Sequence, residues 1–271
     1  MYKKKIKEKI VITGASGYIG SILLKNLTKN NQIFLINKEN FKFGLKHKFI
    51  KCDLSNKKKT SKILKKINPD TIVHLAAQST IDMVKLRKNS YKKNNLTVTK
   101  NLIDIIQKLN VKKFIFSSTA AVYKGSNSPL KETSKLKPSN LYGKTKLLNE
   151  KYIIKNLKNT NTKYCIIRFF NVCSSDRKNN IGELHDPETH LLPIIIDKIT
   201  KNKKFKIYGN NYNTEDGTCV RDYIHILDII SGIKKSINYL ENGKSLIINL
   251  GGSKGFSVKQ IIKSCEKIIK K

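Results

Sequence analysis

Ile10-Val11-Ile12-Thr13-Gly14-Ala15-Ser16-Gly17-Tyr18-Ile19-Gly20 is the stretch that decides the fold. A short β-branched run, Ile10–Thr13, enters a glycine-rich turn, and a helical pattern begins near Ser21, so the glycines occupy a strand-to-helix junction. Small residues at such a junction let the backbone approach a pyrophosphate, whose charge is favoured by the N–H groups and dipole of the helix amino terminus. Taken alone, the glycines would also suit an ordinary tight turn.

The order of elements around them argues for the phosphate reading. Further strand-like runs fall at Ile33–Ile36, Phe49–Cys52, Thr71–Leu75, Lys113–Ser117 and Tyr164–Arg168, with helical patterns at Lys57–Ile67, Asn94–Leu109 and Leu141–Leu157 between them. Strands alternating with longer helices predict an α/β fold with a doubly wound parallel sheet, a Rossmann architecture. From about Phe170 the regularity gives way to loops rich in Asn, Gly, Asp and Pro, and Ser245–Leu250 reads as one more strand. The expected division is a dinucleotide-binding domain over 1–169 and a smaller substrate-binding region over 170–271, with the 245–250 strand returning to the main sheet. At the carboxyl end, Ser257 is a candidate N-cap, and Ile261, Ile262, Cys265, Ile268 and Ile269 share one helical face suited to docking on the sheet.

Composition narrows the partners. An apolar fraction of 39% supports a real core, and no apolar run approaches the roughly 20 residues needed to span a bilayer. The amino terminus passes from a lysine cluster directly into the first strand, so a soluble cytoplasmic protein with no membrane partner is expected. Cys52, Cys165, Cys173, Cys219 and Cys265 form no C-x-x-C pair, which points to reduced thiols and no zinc site. The net charge of +36 would suit nucleic acid, yet arginine occurs only at Arg87, Arg168, Arg177 and Arg221, and the lysines are spread without an aromatic-interleaved stripe. Arginine's planar fork is the preferred tool for nucleic-acid readout, so no specific nucleic-acid partner is expected.

Tyr142-Gly143-Lys144-Thr145-Lys146 places a tyrosine and a lysine four apart, on one face of a helix. A phenol near its reference pKa of about 10 is a poor base at neutral pH, and a neighbouring ammonium favours the phenolate. The run Phe114–Thr119 delivers hydroxyls, Ser117 and Thr119 among them, to the sheet's carboxyl edge. Asn37 stands at the end of the second strand, where an NAD-binding fold normally has a carboxylate for the ribose; it does not repel a ribose phosphate, so NAD is favoured and NADP stays open. Asp53 is placed to accept from an adenine amino group, or else is a turn residue or helix cap. Glu183, His185, Asp186, Glu188 and His190 imitate a metal cluster, but Pro187 interrupts any helix and the histidine spacing fits no zinc signature, so no metal is expected. His74 and His225 are read as satisfied core histidines.

VITGASGYIG, FIFSSTAAVY, YGKTK and above all IYGNNYNTEDGTCVRDYIHILDI resemble the UDP-glucose 4-epimerases of the extended short-chain dehydrogenase/reductase family, in order and spacing over nearly the whole chain. The resemblance implies an NAD-dependent isomerase that interconverts UDP-glucose and UDP-galactose through a 4-keto sugar. Thr119, Tyr142 and Lys146 would be catalytic, with Tyr142 the base. NAD would lie against Gly14, Gly17, Tyr18, Ile19, Gly20, Asn37, Asp53, Leu54, Leu75, Ala76, Ala77, Asn95, Ser117, Tyr142, Lys146 and Phe170. The UDP-sugar would meet Thr119, Tyr142, Asn171, His190, Leu191, Tyr208 and Arg221. Without the resemblance, Tyr208 reads as a packed aromatic and Arg221 as an ion-pair partner of Asp222. Ala120 and Ala121 replace the acidic pair that a 4,6-dehydratase needs, whereas another nucleotide-sugar epimerase or decarboxylase, or a non-catalytic dinucleotide-binding homologue, stays open, as do a homodimer and the choice between simple and N-acetylated sugars. Asn37, Val98 and Lys124 depart from the family pattern. Family members continue beyond a helix like Ser257–Lys270, which leads to an expectation of an incomplete substrate region that holds NAD well and UDP-sugars weakly and epimerises slowly or not at all without such a continuation.

Overall fold

The computed structural model describes residues 8–27, 31–39, 48–79, 91–126, 128–183 and 188–269. Arg87, His185, Asp186 and Pro187 lie outside them. Seven strands form one parallel sheet: β1 (Lys9–Thr13), β2 (Gln32–Asn37), β3 (Lys48–Lys51), β4 (Thr71–His74), β5 (Lys113–Thr119), β6 (Lys163–Phe169) and β9 (Leu246–Leu250), in the spatial order β3-β2-β1-β4-β5-β6-β9. Every pairing is parallel. The chain winds outward from β1 through β2 to β3 and then returns to β4 on the other side of β1. That reversal opens a crevice at the carboxyl edge between β1 and β4, the place where open α/β sheets bind ligands. The expected return of the 245–250 strand is realised as β9 beside β6.

The central strands are apolar throughout because both faces are covered. On one face, Ile10, Ile12, Leu35, Ile115 and Ile167 pack under α1 (Tyr18–Asn26) and α6 (Ile226–Tyr239). On the other, Val11, Phe114, Phe116 and Ile166 pack under α2 (Lys57–Ile67), α3 (Val98–Ile106) and α4 (Leu141–Leu157). The α2 helix buries only Thr60, Leu64 and Ile67 and turns its lysines outward. Asn56 caps its start by accepting from the Lys59 N–H, and Asn68, left-handed at φ 47°, ends it before Pro69. The helix expected over Asn94–Leu109 differs from the sequence reading: Lys92–Thr97 takes a π-helical register before the α-helical α3 begins.

The remainder forms a smaller sheet, with β7 (Asn171–Cys173) parallel to β8 (Val220–His225) and β10 (Gly255–Ser257) antiparallel to β8. Beside it, α5 (Leu191–Thr200) packs against α7 (Val258–Ile269). Ser257 does cap α7, in a reciprocal pair: its Oγ accepts from the Gln260 N–H at 3.1 Å while its own N–H donates to Gln260 Oε1 at 2.9 Å. The expected docking on the sheet is not what occurs. Ile262 and Cys265 bury against Ile195 and Ile199 of α5, and Ile268 is 79% exposed. A single helical stripe cannot tell a sheet from another helix, since both present apolar surface.

Candidate active site

The glycine turn sits at the crevice. Gly14 has φ +74°, a conformation costly for any residue with a side chain, and a Cβ there would meet the Ala76 nitrogen at 2.6 Å. The turn therefore lies directly against the segment after β4, which carries Leu75, Ala76 and Ala77. A Cβ on Gly20 would strike the Gly14 carbonyl oxygen at 2.3 Å, whereas one on Gly17 would have nothing nearer than that oxygen at 3.4 Å. Gly17 is the N-cap of α1, no side chain caps that helix, and its first turn holds no acidic residue. A helix amino terminus with uncapped N–H groups and no side chain crowding Gly17 fits a pyrophosphate.

Around this cradle, Asn37 at the end of β2 donates its amide to Ser16 Oγ and to the Glu39 carbonyl, which leaves its own carbonyl to accept. Asp53 accepts from the Ser55 N–H at 2.9 Å and faces Lys93 at 3.5 Å. Burial opposes its ionisation, but the Ser55 hydrogen bonds and the lysines hold its carboxyl below the usual range. Leu54 is buried beside it, and its carbonyl receives the Asn101 amide at 3.0 Å. Asn95 is 1% exposed and occupied on all sides: its Oδ1 accepts from the Gln78 N–H at 2.8 Å, and its amide reaches the Gln78 carbonyl and Thr145. It pins the segment after β4 to α4, and the π-helical turn aims it inward. Tyr18 swings its hydroxyl to the Ser174 carbonyl at 2.5 Å, and Ile19 packs into the core beneath α1. Phe170 hangs from the Leu250 carbonyl by its N–H at 3.0 Å.

Tyr142 and Lys146 lie on α4, which Asn140 caps by accepting from the Gly143 N–H at 2.7 Å. A Cβ on Gly143 would sit 2.3 Å from the Ala121 carbonyl oxygen, so the first turn of α4 lies against the turn that follows Thr119. Thr119 itself caps that turn by accepting from the Ala121 N–H at 3.2 Å. Lys146 reaches the Ser117 carbonyl at 2.6 Å, and its ammonium lies 5.8 Å from the centre of the Tyr142 ring. Thr119, Tyr142 and Lys146 thus lie together at the carboxyl end of β5 with the Ser117 carbonyl, whereas the Ser117 hydroxyl, expected at that edge, is buried and donates to the His74 carbonyl at 3.1 Å. Burial, helped by Tyr91, lifts the Tyr142 phenol above its ordinary pKa. Burial also brings Lys146 down to about 7, opposed by the charge of Glu150.

The remaining candidates lie on the smaller unit. Asn171, in register with Tyr223, donates its amide to the Asp222 carbonyl at 2.8 Å. Arg221, two residues before Tyr223 and therefore on the same face of that sheet, is exposed, and its guanidinium donates to the Val220 carbonyl at 2.8 Å. The alternative ion pair with Asp222 does not form: the two are consecutive on β8 and point to opposite faces, and the Asp222 carboxylate accepts from the Gly252 N–H. Tyr208 is 79% exposed rather than packed, with Lys206 over its ring at 5.7 Å. His190 stands at the N-cap position of α5 without a side-chain capping bond and contacts Glu188 at 2.9 Å and Glu183 at 3.3 Å; Leu191 begins the helix and packs toward α7. Burial, with the charge of Glu188, raises the Glu183 carboxyl, His190 opposing. Among the described residues no group of three or more side chains could hold a metal ion. His74 is buried as expected, between Thr13 Oγ1 at 2.7 Å and Thr99 Oγ1 at 3.1 Å. His225 is not a core residue: it is exposed and caps α6 by accepting from the Leu227 N–H at 3.1 Å.

Residues 10–251 match the model of the NAD dependent epimerase/dehydratase family. The chain belongs to that family. Among its epimerase/dehydratase relatives, the UDP-glucose 4-epimerase of Halalkalibacterium halodurans is 34% identical over 268 residues, which cover 96% of this chain and 80% of that one. The crystal structure of UDP-glucose 4-epimerase from Brucella ovis in complex with NAD superimposes with a TM-score of 0.87 at 29% identity, covering 96% of this chain and 82% of that one. The UDP-Glc/GlcNAc 4-epimerase of Campylobacter jejuni gives a TM-score of 0.80 at 35% identity, covering 96% of this chain and 83% of that one. Similarity to these epimerases therefore runs through the glycine turn, the α4 pair and the smaller unit alike.

The sequence reading missed a third side chain on α4. Glu150 is 1% exposed and forms a two-pronged ion pair with Arg168, itself 2% exposed, at 2.8 and 3.1 Å. Its signal was the continuation of the four-residue spacing from Tyr142 through Lys146.

Proposed function

We propose that this chain interconverts UDP-glucose and UDP-galactose as a UDP-glucose 4-epimerase. The observation that carries the reading is the convergence of Tyr142, Lys146 and Thr119 at the carboxyl edge of β5, beside a glycine turn with an uncapped helix amino terminus. NAD, when bound, would supply the hydride acceptor and donor. Gly14, Gly17, Gly20 and the first turn of α1 would hold its pyrophosphate, Asn37 the adenosine ribose, and Lys146 the nicotinamide ribose. Tyr142 takes the proton from the 4-hydroxyl of the sugar while Thr119 shares the hydrogen bond, and Tyr142 returns the proton to the opposite epimer. Burial works against the Tyr142 phenolate, so positive charge beside it is what the reaction requires, and the Lys146 ammonium is the chain's own contribution. Such acid–base assistance contributes about 10²–10⁴-fold.

Arg221 and Asn171 offer donors to the diphosphate from one face of the smaller sheet, and the open ring of Tyr208 offers a stacking surface for uracil. Leu141 and Leu148, seven residues apart on α4, are 37% and 53% exposed, an apolar stripe that a second copy would cover in a homodimer. The five free cysteines suit the reducing cytoplasm. Incubating the purified protein with UDP-galactose and no added dinucleotide tests the function. UDP-glucose should accumulate to equilibrium; absence of product, or a dependence on added NAD with a keto sugar as the end point, would refute it.

A further inference from the structure

Tyr142, Lys146 and Glu150 follow one another at four-residue spacing on α4, so all three project from one face, each about 6 Å further along the axis. The first two meet the carboxyl edge of β5. Glu150 lies beneath it, buried, yet its carboxylate is fully engaged. Arg168 of β6 donates to Oε1 from Nε at 3.1 Å and to Oε2 from Nη2 at 2.8 Å, and Ser118 of β5 donates its hydroxyl to Oε1. Arg168 gives Nη1 to the Tyr123 hydroxyl at 2.7 Å, and Tyr123 donates to Asn249 of β9 at 2.7 Å. One network fastens α4 to three adjacent strands.

A buried ion pair contributes little net stability, because desolvation offsets the attraction and apolar replacements often serve as well. What a two-pronged pair does better than an apolar contact is fix rotation and register. Register matters at this point. Ser117 receives Lys146 and Ser118 holds Glu150, so two consecutive positions of β5, directly before Thr119, set where α4 presents its groups.

We infer that Glu150 is a positioning residue for the Tyr142–Lys146 pair: clamped by Arg168 and Ser118, it holds α4 in register on β5, one helical turn beyond the Lys146 ammonium. The inference rests on the epimerase reading of the site. The groups around Lys146 are Tyr142 and Glu150 on its own helix, His74 from β4, the Phe116 ring from β5 at 4.8 Å, and Arg168 from β6 through Glu150, with Tyr91 acting on Tyr142. Burial keeps His74 neutral down to about 3, so it adds no charge near neutral pH. Glu150 is the group that raises the Lys146 pKa against burial. Removing its charge therefore makes Lys146 lose its proton at lower pH, and the alkaline fall in kcat moves to lower pH with it.

The test compares Glu150→Gln, Glu150→Asp and Ser118→Ala with the wild type, each as purified. Turnover of UDP-galactose is followed against pH, and the ionisation of Lys146 by NMR of isotope-labelled lysine, its resonance assigned by absence from Lys146→Arg. In Glu150→Gln the Lys146 midpoint should fall by about one pH unit or more, and kcat near pH 8 by about tenfold or more, with KM within about threefold. Glu150→Asp, which keeps the charge but shortens the reach, should restore the midpoint and not kcat. Ser118→Ala removes one hydroxyl, remains folded if Glu150→Gln does not, and should lower kcat several-fold without altering KM. An unmoved Lys146 midpoint in folded Glu150→Gln, or wild-type kcat in both Ser118→Ala and Glu150→Asp, would overturn the inference. A moved midpoint in a chain that never turns over UDP-galactose would overturn the reaction while leaving the charge role of Glu150 standing.

Discussion

Alanine at Gly17 and alanine at Gly20 should separate ligand binding from folding within one turn. The backbone at Gly17 is extended, φ −76° and ψ 171°, open to any residue, and an added Cβ would find its nearest neighbour at 3.4 Å, ordinary van der Waals contact. At Gly20 the same methyl would lie 2.3 Å from the Gly14 carbonyl oxygen and 2.7 Å from the Ala15 Cα, both backbone atoms that move only if the turn moves. Overpacking of this kind costs about 1–3 kcal/mol. In a chain of this size that lowers Tm by roughly 2–12 °C. Gly17→Ala should melt within about 2 °C of the wild type, because removing glycine's freedom from the unfolded chain offsets any small strain. Its methyl would nevertheless stand where the pyrophosphate approaches the helix, so bound dinucleotide should fall below about a tenth of the wild-type amount. The assay is a thermal melt of dinucleotide-stripped protein, paired with dinucleotide released from untreated protein on denaturation. A Gly17→Ala that keeps its dinucleotide, or a Gly20→Ala as stable as the wild type, would refute the assignment of the two glycines.

Tyr142→Phe keeps the ring and removes the proton acceptor, so turnover should fall by about 10²–10⁴-fold while bound dinucleotide, measured after denaturation, stays within twofold. His74 is neutral in the folded chain down to about 3, against 6.5 when unfolded, so the unfolded state binds more protons between those values. Its contribution is complete above about pH 6.5 and is lost as pH falls toward 3; denaturant melts of His74→Asn across that window should show a shallower loss than the wild type. Arg168→Met leaves the Glu150 carboxylate buried without its partner and should cost about 3–5 kcal/mol by chemical denaturation, much of it recovered when Glu150→Leu is added.

Much of this was legible because local patterns carried it. The α2 and α4 helices fall where lysine-studded periodicity put them, at Lys57–Ile67 and Leu141–Leu157, and the glycine turn occupies the junction its residues require. What stayed hidden depended on tertiary partners. Asn95 reads as a cofactor contact by resemblance, but its inward aim comes from a π-helical turn that no composition signal marks. Arg168 and Glu150 are separated by 18 residues and find each other only because β6 passes under α4. His225 sits in a strand that looks buried, yet β8 belongs to a small sheet with an open face, so the side chain is free to cap a helix. The terminal stripe of α7 gave the buried face and not the surface it meets.

The central claim is that hydride leaves the fourth carbon of the sugar and returns to the same carbon while a proton passes through Tyr142. Incubation of the purified chain with UDP-galactose deuterated at that carbon, without added dinucleotide, tests it most directly. The account predicts UDP-glucose with the deuterium retained at the fourth carbon. Recovery of UDP-galactose alone, or of UDP-glucose whose fourth carbon has exchanged its label for solvent hydrogen, would contradict it.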